Sequence, residues 1–265
     1  MSLAEATAQT SGTALDGAEA AVGVLEDHPR LNAGFGAVLN RAGEIELDAG
    51  IADGRTGRWA GVMSVSVRHP VVLARKVLEE TPHVLLSGAG AMRLASGAGM
   101  ETLEATSEEQ WLRWKRAERT GFADFGVAED VDTVGAVALD DEGALAAASS
   151  TGGLFGKLPG RVGDAPIHGA GVYATMGAAV VGTGLGELFL RASACRIAGE
   201  RIESGTRPQE AVEGVIADLS DGTGSPIALL ALDASGRVGA AYTGASWQIE
   251  GFGAELYPRK IGPGG

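Results

Sequence analysis

The sequence predicts a layered α+β fold in which antiparallel sheets are covered by helices. Three observations lead there. Strand-like runs come as hairpins: 132–139 and 145–148 flank the turn Asp140-Asp141-Glu142-Gly143, and 227–232 and 238–242 flank Asp233-Ala234-Ser235-Gly236. Helical segments fall in groups between hairpins instead of following every strand, which argues against a doubly wound parallel sheet. Finally, 265 residues suffice for one sizeable core, so residues 1–265 are expected to form a single domain of two or more layers.

Taken in order, residues 1–10 are small and polar without period. Residues 14–26 read as a helix because Leu15, Ala18, Val22 and Leu25 recur at helical spacing, and Pro29 stops it. The stretch 32–36 is a glycine-containing loop, followed by a short apolar run to Leu39. Asn40-Arg41-Ala42-Gly43 is then a hairpin turn into the alternating run Glu44–Asp48. Residues 61–67 alternate as a strand, and a helix starts at Pro70, where the missing N–H costs little, and runs to Glu80. Residues 84–86 read as a short buried strand. Ser87-Gly88-Ala89-Gly90 and Ser96-Gly97-Ala98-Gly99 are alike but too short to be a repeat. A charged helix is expected over 107–119, a linker over 120–131, and a Gly/Pro-punctuated loop over 157–171. Residues 178–181 form a strand that turns at 182–187 into a helix ending near Arg201, and 208–219 is a further helix.

Composition narrows the function. Thirty-four acidic against 21 basic residues give a net charge of −13, which argues against nucleic-acid and anionic-membrane partners. Forty-two glycines imply many turns and close backbone approaches, without a collagen-like period. One cysteine, Cys195, excludes an internal disulfide framework and, lying among apolar helix residues, reads as core. No apolar stretch is long enough for a bilayer, and the start lacks a basic-then-apolar signal pattern, so a cytoplasmic protein is expected. His28, His69, His83 and His168 are scattered without metal-ligand spacing.

Three constellations carry chemistry. Thr133 and Thr151 lie at equal distances from Glu142, so the first hairpin sets them opposite each other with Cβ atoms roughly 5 Å apart. That pair is either an ordinary sheet contact or a nucleophile with its hydroxyl partner. A threonine hydroxyl needs an adjacent base, and a threonine that begins a chain has its own α-amino group, of pKa about 8, for that task. This reading requires cleavage between Asp132 and Thr133. Gly182-Thr183-Gly184-Leu185-Gly186-Glu187 ends a strand and opens a helix, where backbone N–H groups suit a carboxylate or oxyanion. Its spacing is not that of a dinucleotide loop, no P-loop lysine follows, and a plain tight turn is the alternative. Arg161 and Asp164 share one loop, in which the guanidinium suits an α-carboxylate and the carboxylate an α-ammonium. A mutually paired surface couple is the alternative.

The stretches 132–138, Ser150-Thr151-Gly152-Gly153, Lys157-Leu158-Pro159-Gly160-Arg161-Val162-Gly163-Asp164-Ala165-Pro166, Gly169–Ala174 and Thr183–Glu187 together resemble the plant-type L-asparaginase / isoaspartyl peptidase family. These are threonine N-terminal nucleophile hydrolases related to glycosylasparaginase. Residues 32–38 and 46–54 match as well, and the similarity runs from about residue 12 to 240. The resemblance implies a four-layer αββα sandwich made as a precursor that cuts itself before Thr133, giving α (1–132) and β (133–265) subunits that pair into a homodimer of αβ units. It assigns Thr133 as nucleophile, Thr151 as the group orienting its hydroxyl, and Thr183 with the Gly184 N–H as oxyanion hole. Arg161, Asp164 and Gly186 would hold the substrate's α-carboxylate and α-ammonium, with Asn32 near the nucleophile. The substrate would be L-asparagine or a β-aspartyl dipeptide, and no cofactor is required. Leu25, Glu26, His28, Leu31, Ala33 and Phe35 match a loop that in relatives holds a structural sodium ion through backbone carbonyls, an ion that a negatively charged chain tolerates.

The sequence also departs from that family. It has neither the first strand, ending in a His-Gly-Gly-Ala-Gly turn, nor the long helix after it, so an unpaired sheet edge is expected. Asp132 replaces the asparaginases' glycine, as in glycosylasparaginase. Tyr242–Trp247 and Leu154-Phe155-Gly156 replace more polar family loops, which implies altered specificity. The alternative function is a relative that does not process itself and serves as a binding or partner subunit.

Overall fold

The computed structural model describes residues 2–3, 12–122, 133–219, 225–244, 247–249 and 258–262. Their architecture is set by two five-stranded sheets. The first consists of β2 (Leu47–Asp53), β3 (Arg58–Val65), β4 (Leu85–Ser87), β5 (Val134–Leu139) and β6 (Leu145–Thr151), in the order β4-β3-β2-β6-β5. The second contains β7 (Val172–Ala174), β8 (Ala178–Gly184), β9 (Ile227–Asp233), β10 (Val238–Tyr242) and β12 (Arg259–Lys260), in the order β12-β10-β9-β8-β7. A short parallel ribbon joins β1 (Ser2–Leu3) to β11 (Gln248–Ile249).

The outer face of the first sheet is covered by α1 (Ala14–Glu26), α2 (Pro70–Glu80) and α3 (Gly88–Gly97). The second sheet is covered by α5 (Gly186–Ala192), α6 (Ala194–Glu203) and α7 (Pro208–Leu219). The sheets face each other through Leu145, Ala147, Val172, Val181 and Leu230, closing an αββα sandwich. The largest cluster packs α1 and α2 on the first sheet through Leu15, Val22, Leu47, Ile51, Leu73 and Val77. Among the described residues no helix is long and apolar enough to cross a membrane.

Several elements follow their local sequence closely. Helix α1 has the expected bounds and is started by a capping box, in which Thr13 and Asp16 exchange side-chain and backbone hydrogen bonds. Pro70 opens α2 as expected, and the carboxylate of Glu26 accepts the Val71 N–H there. The central hairpin has the predicted register: Val134 opposes Ser150 and Leu139 opposes Leu145. Asp140 closes its turn by accepting the N–H groups of Glu142 and Ala144. Cys195 is fully buried in the helix–sheet core, as its surroundings suggested.

Other elements depart from the local reading. The turn at Asn40–Gly43 forms, but residues 44–46 are not in a strand; β2 begins at Leu47. There Asn40 binds the carboxylates of Glu44 and Glu46, so those side chains serve the turn instead of a ladder. Strand β4 lies at the sheet edge with Val84 exposed, so it is not buried. The two Ser-Gly-Ala-Gly stretches are joined by a helix, α3, whose Ala91 and Ala95 pack on the sheet. The helix after β8 is interrupted at Ser193, in the left-handed region at φ 54°. The break lets the Cys195 and Arg196 N–H groups donate to Ala170 and Gly169, tying α6 to the preceding loop. Strand β5 ends the first sheet among the described residues. The segment 123–132 lies outside them.

The 164–166 loop lies so close to the first sheet that β2 and β3 need glycine there. A Cβ on Gly50 would lie 2.5 Å from the Ala165 carbonyl oxygen, and one on Gly61 2.3 Å from that of Pro166. Gly50→Ala should therefore lower stability by about 1–3 kcal/mol through overpacking, read as a shift in the urea midpoint. A surface Gly57→Ala gives the comparison for strain alone, since φ is 68° there with no atom near.

Candidate active site

Thr133 stands at the entrance of β5 and is 6% exposed. Its hydroxyl donates to Thr151 Oγ1 at 3.1 Å, so the hairpin places the two threonines as its register demands. Thr151 Oγ1 also accepts the Gly153 N–H at 2.9 Å, which fixes the rotamer of the second hydroxyl against the turn that follows β6. Across the sandwich, Gly135 faces Val181: a Cβ there would lie 3.1 Å from Val181 Cγ2. Two residues on, along the same faces, come Thr133 and Thr183. Thr183 is 1% exposed, and its Oγ1 has no hydrogen-bond partner among the described residues. Gly184 follows at φ 148°, with no room for a side chain beside Ile227 and Pro226.

Arg161 and Asp164 reach the same end of the sandwich. A Cβ on Gly186 would lie 2.7 Å from Asp164 Oδ1 and 3.0 Å from Arg161 Nη2, so these three residues are in direct contact. The guanidinium is not a solvated surface group. Its Nε and Nη2 donate to the two carboxylate oxygens of Glu187, at 3.1 and 2.9 Å, while Nη1 points toward Gly153 and Gly163. Asp164 is almost fully buried, and its Oδ2 has no partner among the described residues. Burial pushes its carboxyl up to about 7, against the opposing charge of Arg161. Asp164 thus has an unused polar atom close to the guanidinium, and Thr183, three residues before Gly186, has another.

Asn32 lies behind these groups. Its side chain donates to the Gly153 carbonyl at 2.7 Å and accepts the Val38 N–H, and its own carbonyl accepts the Gly152 N–H. It thus clamps the 152–153 turn next to Thr151. Asp132 lies outside the described residues. The stretch Leu25–Phe35 coils tightly: a Cβ on Gly34 would lie 2.3 Å from the Glu26 carbonyl oxygen, and one on Gly36 would meet those of Leu31 and His28 at 2.2 and 2.7 Å. Backbone oxygens of Glu26, His28 and Leu31 therefore crowd these two glycines, while those of Leu25, His28 and Leu31 already accept the N–H groups of His28, Leu31 and Ala33. The Ala33 carbonyl accepts the Gly36 N–H, and that of Phe35 accepts from Thr106 and Ser107. Among the described residues, no group of three His, Cys, Asp or Glu side chains could hold a metal ion.

Three residues of the site escaped the sequence reading. Glu187 orients Arg161. Asp48 and Lys157 are both buried, and Lys157 Nζ donates to the Glu46 carbonyl at 2.7 Å. Glu187, Asp48 and Lys157 lie inside stretches that carry the family resemblance, and a carboxylate next to the first residue of a strand that runs Leu47-Asp48-Ala49-Gly50-Ile51-Ala52 is the signal that marks Asp48. The replaced loops also serve packing. Phe155 packs against Phe122 with ring centroids 6.2 Å apart at a 44° tilt, and Thr243 Oγ1 accepts the Ile227 N–H.

Comparison with known proteins agrees with this geometry. The family model described as asparaginase matches residues 2–251. The chain is 42% identical over 239 residues to an isoaspartyl peptidase of Escherichia coli, covering 85% of this chain and 74% of the relative. It is 40% identical over 248 residues to a plant-type L-asparaginase of Pyrococcus furiosus, covering 87% and 80%. It is 42% identical over 212 residues to an isoaspartyl peptidase/L-asparaginase of Mus musculus, covering 77% and 65%. The αββα sandwich is that of an N-terminal nucleophile hydrolase, and the chain belongs to the asparaginase family of hydrolases.

The raised Asp164 carboxyl makes stability depend on pH. Between about pH 4 and 7 the native state keeps a proton that the unfolded chain releases, so this group's contribution falls as pH rises and levels off above about 7. Urea titrations from pH 4.5 to 8 should show that decline, and Asp164→Asn should flatten it. An unchanged slope in the variant would assign the decline to other buried acids such as Glu26 and Asp48.

Proposed function

We propose that this protein is a self-processing threonine amidohydrolase that cleaves β-aspartyl peptides, L-asparagine or both through an acyl-threonine intermediate. The observation that carries the reading is the buried Thr133–Thr151 hydroxyl pair, set at the same end of the sandwich as Thr183, Arg161 and Asp164. Cleavage before Thr133 would free its α-amino group, which takes the proton as the hydroxyl attacks the side-chain carbonyl of the substrate. The Thr151 hydroxyl would orient the attacking oxygen. The Thr183 hydroxyl and Gly184 N–H would receive the oxyanion of the tetrahedral intermediate. Ammonia or an amine leaves with a proton returned from the α-amino group, and water then releases aspartate and regenerates Thr133.

The charge arrangement supports a zwitterionic substrate. Arg161 is oriented by Glu187 and would take the α-carboxylate with Nη1. Asp164, with a carboxyl at about 7, has the unused oxygen that an α-ammonium would fill, helped by the Gly186 carbonyl. Asn32 acts on this site through the 152–153 turn. The carbonyl-lined Leu25–Phe35 loop would hold a sodium ion with a structural role, and two αβ units would pair as a dimer.

Intact-mass spectrometry tests the processing step. Fragments 1–132 and 133–265 are expected from the purified protein, and a single uncut chain from Thr133→Ala. A wild-type chain that stays whole would leave Thr133 without its base and sink the proposal. Hydrolysis has its own signature. KM for asparagine should fall as pH rises through about 7, because Asp164 binds an ammonium only when ionised. In Asp164→Asn that pH dependence should vanish and kcat/KM should drop by about two orders of magnitude.

A further inference from the structure

The chemistry above leaves one buried cation unused. Lys157 is 1% exposed and lies in the loop between the two threonines' turn and Arg161. Burying an ammonium is costly unless an opposite charge and hydrogen bonds accompany it, and an apolar side chain would fill the same space. Its Nζ donates to the Glu46 carbonyl at 2.7 Å, two residues before Asp48, whose carboxyl is fully buried. Asp48 Oδ1 accepts the N–H of Ser64, a residue in the left-handed region at φ 50°, and Oδ2 accepts the Gly163 N–H at 3.1 Å. Gly163 sits between Val162 and Asp164, so Asp48 grips the peptide that separates the two substrate-reading residues. Burial pushes the Asp48 carboxyl up and the Lys157 ammonium down, and the charge of each opposes the shift of the other.

The geometry also sets Lys157 beside the guanidinium. Lys157 Nζ and Arg161 Nη1 each lie 3.1 Å from the position a Gly153 Cβ would take. The two cationic nitrogens are therefore within about 6 Å of each other, a separation at which charges in a protein interior interact strongly. Glu187 pairs with Arg161, and the carboxylates of Asp48 and Glu46 oppose the effect of burial on Lys157. Gly153 itself donates to Thr151 Oγ1, so the cation pair stands directly behind the nucleophile's partner.

We infer that Lys157 and Asp48 act as one positioning unit that anchors the Arg161–Asp164 loop and thereby sets how the substrate's α-carboxylate is read. The inference rests on the amidohydrolase reading of the site. It makes preference for a free α-carboxylate depend on two residues that do not touch the substrate.

The test compares kcat/KM for L-asparagine with that for its α-carboxamide, in the processed wild type and in Lys157→Met, Asp48→Asn, the double variant and Lys157→Arg. Each of the first two should cut the wild-type preference for the carboxylate substrate about tenfold, mainly through KM. The double variant should lose no more than the worse single, because the residues act as a unit. Lys157→Arg keeps the charge and should recover most of the preference. Circular dichroism and urea midpoints establish that each variant is folded under assay conditions, and Asp48→Asn carries the test if Lys157→Met does not fold. Equal losses on both substrates, or additive losses in the double variant, would overturn the inference. If the wild type hydrolyses neither substrate, the proposed function fails instead. Calorimetric binding of L-aspartate against L-isoasparagine then decides the Lys157–Asp48 unit by the same ratio, an unchanged preference overturning it.

Discussion

The register of the β5–β6 hairpin is the constraint on which the rest depends. Side chains alternate across a strand, so a slip of one residue would turn Thr133 and Thr151 to opposite sides and scatter the site. Two features pin the register. Asp140 closes the turn with two backbone N–H acceptances and is itself held by Arg55, which also binds Glu142. At the other end, Gly135 packs closely against Val181, whose Cγ2 would lie 3.1 Å from a Cβ added there. The hairpin is thereby held lengthwise by its turn and crosswise by the facing sheet, and the hydroxyl pair follows.

Around that pair, the loops are held by buried polar groups whose partners are supplied from distant parts of the chain. Asn32 holds the 152–153 turn, Asp48 holds Gly163, Glu187 holds Arg161, and the first N–H groups of α6 hold Gly169 and Ala170. A buried polar group left unpaired is costly, so a fold tends to leave few of them. Among the described residues, Asp164 Oδ2 and Thr183 Oγ1 are two that remain, and both face the nucleophile's end of the sandwich. Ser107 Oγ, Gln110 Oε1, Ser150 Oγ and Trp247 Nε1 are unpaired as well, so what sets Asp164 and Thr183 apart is that they share one end of the sandwich with Thr133.

Much of the fold was legible in local pattern. The bounds of α1, α2 and α7, the two hairpins and the register of the first came from periodicity, prolines and turn chemistry, and the four-layer order came from the family resemblance. The misreadings have physical causes. Local pattern gives no element between the two Ser-Gly-Ala-Gly stretches, where Ala91 and Ala95 pack on the sheet as part of helix α3. The helix after β8 breaks at Ser193 because loop carbonyls at Gly169 and Ala170 compete for its N–H groups. The run 44–46 alternates like a strand, but Asn40 collects its carboxylates at the turn.

By itself the sequence determined which reactive residue types exist, where the hairpin turns, and that Thr133 must oppose Thr151, because these depend on contacts a few residues apart. Tertiary structure alone decided the electrostatics. The carboxyl of Asp164 is pushed up to about 7 because the loop carrying it is buried, and burial pushes the Lys157 ammonium down while Asp48 and Glu46, far away in the chain, oppose that shift. Desolvation is a property of packing, and packing joins residues that no local pattern connects.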